Sequence, residues 1–178
     1  MTPNEKQTLA FVINELKPVQ KINSLEFDLD ERAGGYLVAH CQMEFDTGDP
    51  VYAVFTLGRF SNHIFLTITN GDPVRLANVL AGVERYDSSN KQLGFGHTMR
   101  MENKYLDENN KSALLFLRPR LLPFLDNFQD CSDVGGRHLE FFLVVFLNED
   151  EYTHKLSNGL DALYDKFQAE KKNLFAIG

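Results

Sequence analysis

The residues Phe141-Phe142-Leu143-Val144-Val145-Phe146 are apolar at six consecutive positions, within a run from His138 to Leu147 that Gly135-Gly136 precedes and Asn148 follows. A strand with one wet face alternates apolar and polar side chains. One that is apolar on both faces belongs in the middle of a sheet covered above and below. The run is far shorter than the ~18 apolar residues a membrane helix requires. A chain that carries it must supply strands to flank it and helices to cover it.

The remaining residues offer both. Thr2 and Glu5 form a capping box, Pro3 suits the first turn, and Leu9, Val12, Ile13 and Leu16 share one face, so a helix is expected over 3–17, ended by Pro18. Leu25, Phe27 and Leu29 alternate with Glu26, Asp28 and Asp30, a strand with one acidic wet face. Tyr36 to Phe45 alternates again, with Leu37, Ala39, Cys41, Met43 and Phe45 on one side. Val51–Leu57 and Ile64–Thr69 are the next strands. Turns at Gly34-Gly35 and over 46–50 keep the connections short, which favours antiparallel pairing. Asp72 caps and Pro73 opens a second helix, with Val74, Ala77, Leu80 and Ala81 as its stripe, ending near Arg85. Residues 86–111 are polar and glycine-bearing and suggest no element. Ser112–Leu117 reads as a strand, and the prolines of Arg118–Pro123 as a loop. Asn148 caps the last helix, whose stripe is Tyr152, Leu156, Leu160, Leu163 and Phe167. Gly159 is a point for a kink or break, Lys171-Lys172 suit the negative end, and 171–178 form a tail. The expected class is α+β, a mixed, largely antiparallel sheet flanked by helices, in one domain over 1–178.

Charge narrows the function. The 178 residues carry 18 basic and 25 acidic side chains, a net charge of −7. An acidic surface disfavours nucleic-acid backbones and anionic membranes, and favours steering of a basic partner. Two cysteines make neither a disulfide framework nor a four-ligand zinc site. With no signal-peptide pattern at Met1–Gln7, the expected address is cytoplasmic.

Catalytic motifs are missing: there is no complete phosphate loop, no Gly-x-Ser-x-Gly elbow and no His-Glu-x-x-His. No metal or cofactor is called for. His40 and Cys41 are adjacent in a strand and so point to opposite faces. His97 has a distinctive setting, since Gly94 and Gly96 flank Phe95 and Thr98 follows. Glycines there permit unusual backbone angles or close approach. His97 is then a ligand contact or general base, or a structural histidine in an irregular loop. Glu26, Asp28 and Asp30 lie at i, i+2 spacing, as an acid pair or as a solvated edge.

Leu93-Gly94-Phe95-Gly96-His97-Thr98, followed by Leu114-Leu115-Phe116-Leu117 with a proline close behind, resembles the Suppressor of Fused (SUFU) domain family. So does the closing pattern from Glu140 to Leu147, then Glu149, Glu151-Tyr152, Lys155-Leu156, Gly159-Leu160 and Ala162-Leu163. Val51–Gly58 is similar to the family's "Y.T.G.S" strand, with Ser61 falling late, after Arg59-Phe60. The resemblance spans about residues 36–168 and implies a non-enzymatic protein-binding module. Single-domain members are mostly bacterial and include immunity proteins that neutralise toxins. The partner expected is another, basic protein, met through Gly94, Gly96, His97, Thr98, Arg59, Glu149 and Glu151. The competing expectation is a small enzyme built on His97 and Thr98, with an acid from the Leu25–Asp30 strand.

Overall fold

A computed structural model describes residues 1–18, 22–43, 50–90 and 93–174. Among the described residues, four α-helices and eight strands follow in chain order: α1 (Pro3–Leu16), β1 (Asn23–Phe27), β2 (Tyr36–Met43), β3 (Val51–Thr56), β4 (His63–Thr69), α2 (Pro73–Asn90), β5 (Thr98–Arg100), α3 (Lys104–Glu108), β6 (Ala113–Leu117), β7 (Cys131–Val134), β8 (Arg137–Leu147) and α4 (Glu149–Ala169). The strands form one sheet in the order β1-β2-β3-β4-β8-β6-β5, with β7 also paired to β8. Every pairing is antiparallel except β4 with β8, which is parallel.

The two-faced apolar run is the sheet's centre. β4 lies along one side of β8, and β7 and then β6 along the other. Phe141, Leu143, Val145 and Leu147 enter a core closed by α1, α4 and the 118–128 segment, through Val12, Leu163, Phe167, Leu122 and Phe128. Phe142, Val144 and Phe146 enter the opposite core, closed by α2 and α3 through Leu76, Leu80, Val83 and Leu106. The folded surface is 8895 Å², against roughly 8,800 Å² expected for a compact chain of this mass.

Local chemistry explains the element ends. The Thr2–Glu5 capping box is formed, and Lys17 ends α1 in the left-handed region. Asp72 accepts from the N–H groups of Val74 (2.9 Å) and Arg75 (3.2 Å). Gly135 and Gly136 both have positive φ, 61° and 77°, as a tight hairpin turn between β7 and β8 requires.

Several expectations need correction. The strand expected over Leu25–Asp30 is paired over Asn23–Phe27, so Asp28 and Asp30 lie beyond it. α2 runs to Asn90, not Arg85. Its buried face takes in Leu76 and Val83, while Val74 is exposed. Within 86–111 stand β5 and α3. Phe45 and most of the turn expected over 46–50 lie outside the described residues, as do residues 175–178 of the expected tail.

α4 departs furthest. Gly159 (φ 88°, ψ 179°) is non-helical, and Lys172 Nζ beyond the helix end donates to Glu151 Oε1 in its first turn at 2.5 Å. A straight 21-residue helix would place those ends ~30 Å apart. The helix therefore doubles back at Gly159. A continuous stripe cannot pass such a break, so Leu156 is 60% exposed while Leu163 and Phe167 are buried. Lys172 thus serves the helix start, not its negative end.

Candidate functional site

The sequence-selected residues fall into two places. Gly94 to His97 form a tight turn leading into β5, in which the His97 N–H donates to Gly94 O at 3.1 Å. Gly96 N–H donates to Phe116 O (2.8 Å), and Phe116 N–H to His97 O (3.1 Å), which locks the turn to β6. Gly96 needs to be glycine twice over: its φ is +77°, and a Cβ there would stand 3.3 Å from Leu160 Cδ2 of the folded-back α4. At Gly94 a Cβ would stand 3.7 Å from the His97 ring, an ordinary contact, so that position does not demand glycine as Gly96 does.

This turn presents apolar surface. Phe95 is 48% exposed, with the Arg118 guanidinium 5.6 Å from its ring centre. A groove of about 490 Å³ beside it is lined by Tyr86, Leu93, His97 and Thr98. β5 is an outer strand, paired among the described residues only with β6. Arg100 of β5 is ion-paired with Glu149 and lies over the Tyr152 ring, 4.6 Å from its centre. Gly94, Gly96, His97, Thr98 and Glu149 therefore occupy one sheet edge.

Glu151 neighbours Glu149 in sequence but works inside the fold. It completes the capping box with Asn148 and pairs with Lys172, whose own pKa burial pushes down. Arg59 lies in the other region, in the β3–β4 loop. It ion-pairs with the buried Glu5 of α1, pairs with Glu26 of β1 at 2.5 Å, and donates to Gly35 O at 2.6 Å. Arg59 also draws the pKa of both carboxylates down, against the burial of Glu5.

The acids that the enzyme reading borrowed are held elsewhere. Glu26 also accepts from Gly35 N–H, and Asp30 accepts from the Tyr36 hydroxyl at 2.5 Å. Neither lines the groove beside His97. Cys41 is fully buried, and burial pushes its thiol up to about 11.

Around Arg59 lies a larger cavity that sequence reasoning missed, about 770 Å³, with Asn4, Ser61, His63, Asp87 and Arg137 among its walls. Asp87 is buried; it accepts from the Ser61 hydroxyl (2.5 Å) and faces His63 Nδ1 at 3.0 Å. That contact holds the His63 pKa up, against the effect of burial. Next to it Glu84 is fully buried, with one oxygen accepting from Phe60 N–H at 3.0 Å and the other unpartnered among the described residues. Burial pushes Glu84 up to about 7. A signal was present: Ala77, Leu80, Glu84 and Asp87 sit at spacings of three and four, so two carboxylates continue the apolar stripe of α2.

A mixed α+β sheet with helices on both faces also describes three solved structures. A suppressor of fused homologue from Neisseria gonorrhoeae superposes with a TM-score of 0.76 at 16% identity, over 98% of this chain and 94% of that one. Drosophila Suppressor of Fused gives 0.71 at 15%, over 98% of this chain and 49% of that one, so the present chain spans about half its length. A chain of the Sufu–Fu complex gives 0.69 at 16%, over 93% and 84%. At such identities these likenesses establish the fold. No curated protein matches in sequence. The sequence profile of Suppressor of fused protein (SUFU) matches residues 44–176, and the chain belongs to that family.

Proposed function

We propose that this chain is a protein-binding module that docks a basic partner at the β5 edge. The single observation that carries the reading is the turn Gly94–His97. It holds an exposed phenylalanine beside an outer strand, and an outer strand is where an added segment can extend a sheet. Gly94, Gly96, His97 and Thr98 shape that surface. Glu149 at its border, and the net charge of −7, give a basic partner a favourable approach. The Sufu–Fu complex supports the reading, as a family fold found in a complex. An immunity role, in which the acidic chain covers a basic toxin in the cytoplasm, is the sharper form. Arg59 and Glu151 enter it as braces of the fold rather than as contacts.

The test is affinity capture from the source-cell lysate with wild-type and Phe95→Asp bait, at low and high salt. One basic protein should be recovered near one-to-one by wild type, less by the variant, and more slowly as salt rises. Equal recovery by both baits would refute docking at this edge.

A further inference from the structure

The cavity between α1, the β3–β4 loop, α2 and β8 has no part in that docking surface. Its volume of about 770 Å³ exceeds that of the groove beside His97 and lies in the range that holds a small molecule. Its walls mix apolar surface, Phe60 and Pro3 among it, with two arginines, a histidine, a serine hydroxyl and the carboxylates of Glu5 and Asp87.

The charges in those walls are unequally satisfied. Arg59 is matched by Glu5 and Glu26, and His63 by Asp87. Arg137 has no carboxylate within ion-pair distance among the described residues. Its Nε donates to Asn62 Oδ1 (3.1 Å), and its Nη2 reaches Gly58 O (2.7 Å), Ser61 O (2.6 Å) and Asn62 Oδ1 (2.9 Å). All of these acceptors are neutral, and the bonds are made through Nε and Nη2, so Nη1 is the guanidinium edge that a ligand would meet. Asp87 likewise takes Nδ1 of His63, so the ring can meet a ligand only through Nε2. The α1 N-terminus adds little, because its capping box already satisfies the N–H of Glu5.

We propose that this cavity binds a small molecule carrying an oxyanion, phosphate or carboxylate, held by Arg137 Nη1 and by the protonated His63 ring through Nε2–H. A guanidinium with only neutral partners is the ready counter-ion, and the N–H groups of its Nη1 can donate to such a group. Binding strengthens as pH falls, because His63 then carries its charge and the buried Glu84, which faces Arg137, becomes neutral. Asp87 of α2 and Glu140 of β8 favour the charged ring, and Arg118, following β6, opposes it. The ligand would tie Arg137 to His63 and so tighten the loop from Gly58 to Asn62.

The experiment is an NMR titration of the His63 ring in the full chain. Inorganic phosphate and acetate are added in separate arms, with chloride at matched ionic strength as control, at about pH 6 and about pH 8. A saturable shift of the His63 ring with phosphate or acetate, absent with chloride, is expected. The tighter of the two names the oxyanion. Affinity should fall roughly ten-fold at the higher pH. Binding followed by calorimetry should weaken by a similar factor in His63→Gln and in Arg137→Lys, which keeps the charge but loses the Nη1 donor. His63→Gln is the decisive variant if Arg137→Lys loosens the loop. Shifts that chloride reproduces, or unchanged affinity in a folded His63→Gln, would overturn the proposal.

Discussion

Replacing Glu84 by glutamine should make the protein more stable at high pH and remove part of its pH dependence. The side chain is fully buried, and Phe60 N–H reaches only one of its oxygens. An ordinary glutamate titrates at 4.5, and burial carries this one to about 7. The folded state therefore holds its proton more tightly than the unfolded chain does. The stability this provides is complete below 4.5 and is lost as pH rises through about 7. The gap between 4.5 and about 7 corresponds to ~3 kcal/mol, at about 1.4 kcal/mol per pH unit. His63 is also raised and loses its contribution in the same direction, so the wild-type curve alone cannot isolate Glu84. Glutamine keeps the shape, stays neutral and leaves His63 in place. Urea unfolding of both proteins from about pH 5 to about pH 8.5 gives the difference directly, and that difference should move in favour of Glu84→Gln by ~2.5 kcal/mol, the rest of the gap being already lost at about pH 5. A constant difference across this range would show that Glu84 is not a buried titrating acid.

Three further outcomes follow from the same geometry. Arg59→Met strands the buried Glu5, and should cost on the order of 3 kcal/mol in urea unfolding; the double variant with Glu5→Gln should recover most of it. Gly96→Ala meets both a positive φ and Leu160, and should lower stability by about 1–3 kcal/mol, whereas Gly136→Ala, with positive φ but nothing within 4 Å, should cost less. A thiol reagent at neutral pH should label Cys131, which is exposed, and leave Cys41 unmodified until the chain unfolds.

How much of this was legible depended on whether the signal was local. The centre of β8 could be read because burial on two faces leaves six apolar residues in a row. The starts of α1, α2 and α4 could be read because capping chemistry sits within four residues, whereas that of α3, capped by Asn103, was lost in a polar stretch. β5 and β7 could not, since each is three or four residues long and is defined by its partner rather than by its own alternation. The end of α2 was hidden by its polar composition, yet Glu84 and Asp87 are buried there because loop groups come from far along the chain to meet them. The parallel junction of β4 with β8 joins segments more than seventy residues apart, beyond any periodicity. The Gly94–Thr98 turn was visible because glycines announce an unusual backbone. The Arg137 cavity was not, because its walls come from α1, α2, β8 and the β3–β4 loop.

Hydrogen–deuterium exchange on the chain, alone and bound to its captured partner, tests the central claim most directly. Binding at the β5 edge predicts new protection across Gly94–Arg100, with no change at β1 on the opposite edge of the sheet. Protection at β1 or around the Gly58–His63 loop, with none at β5, would contradict it.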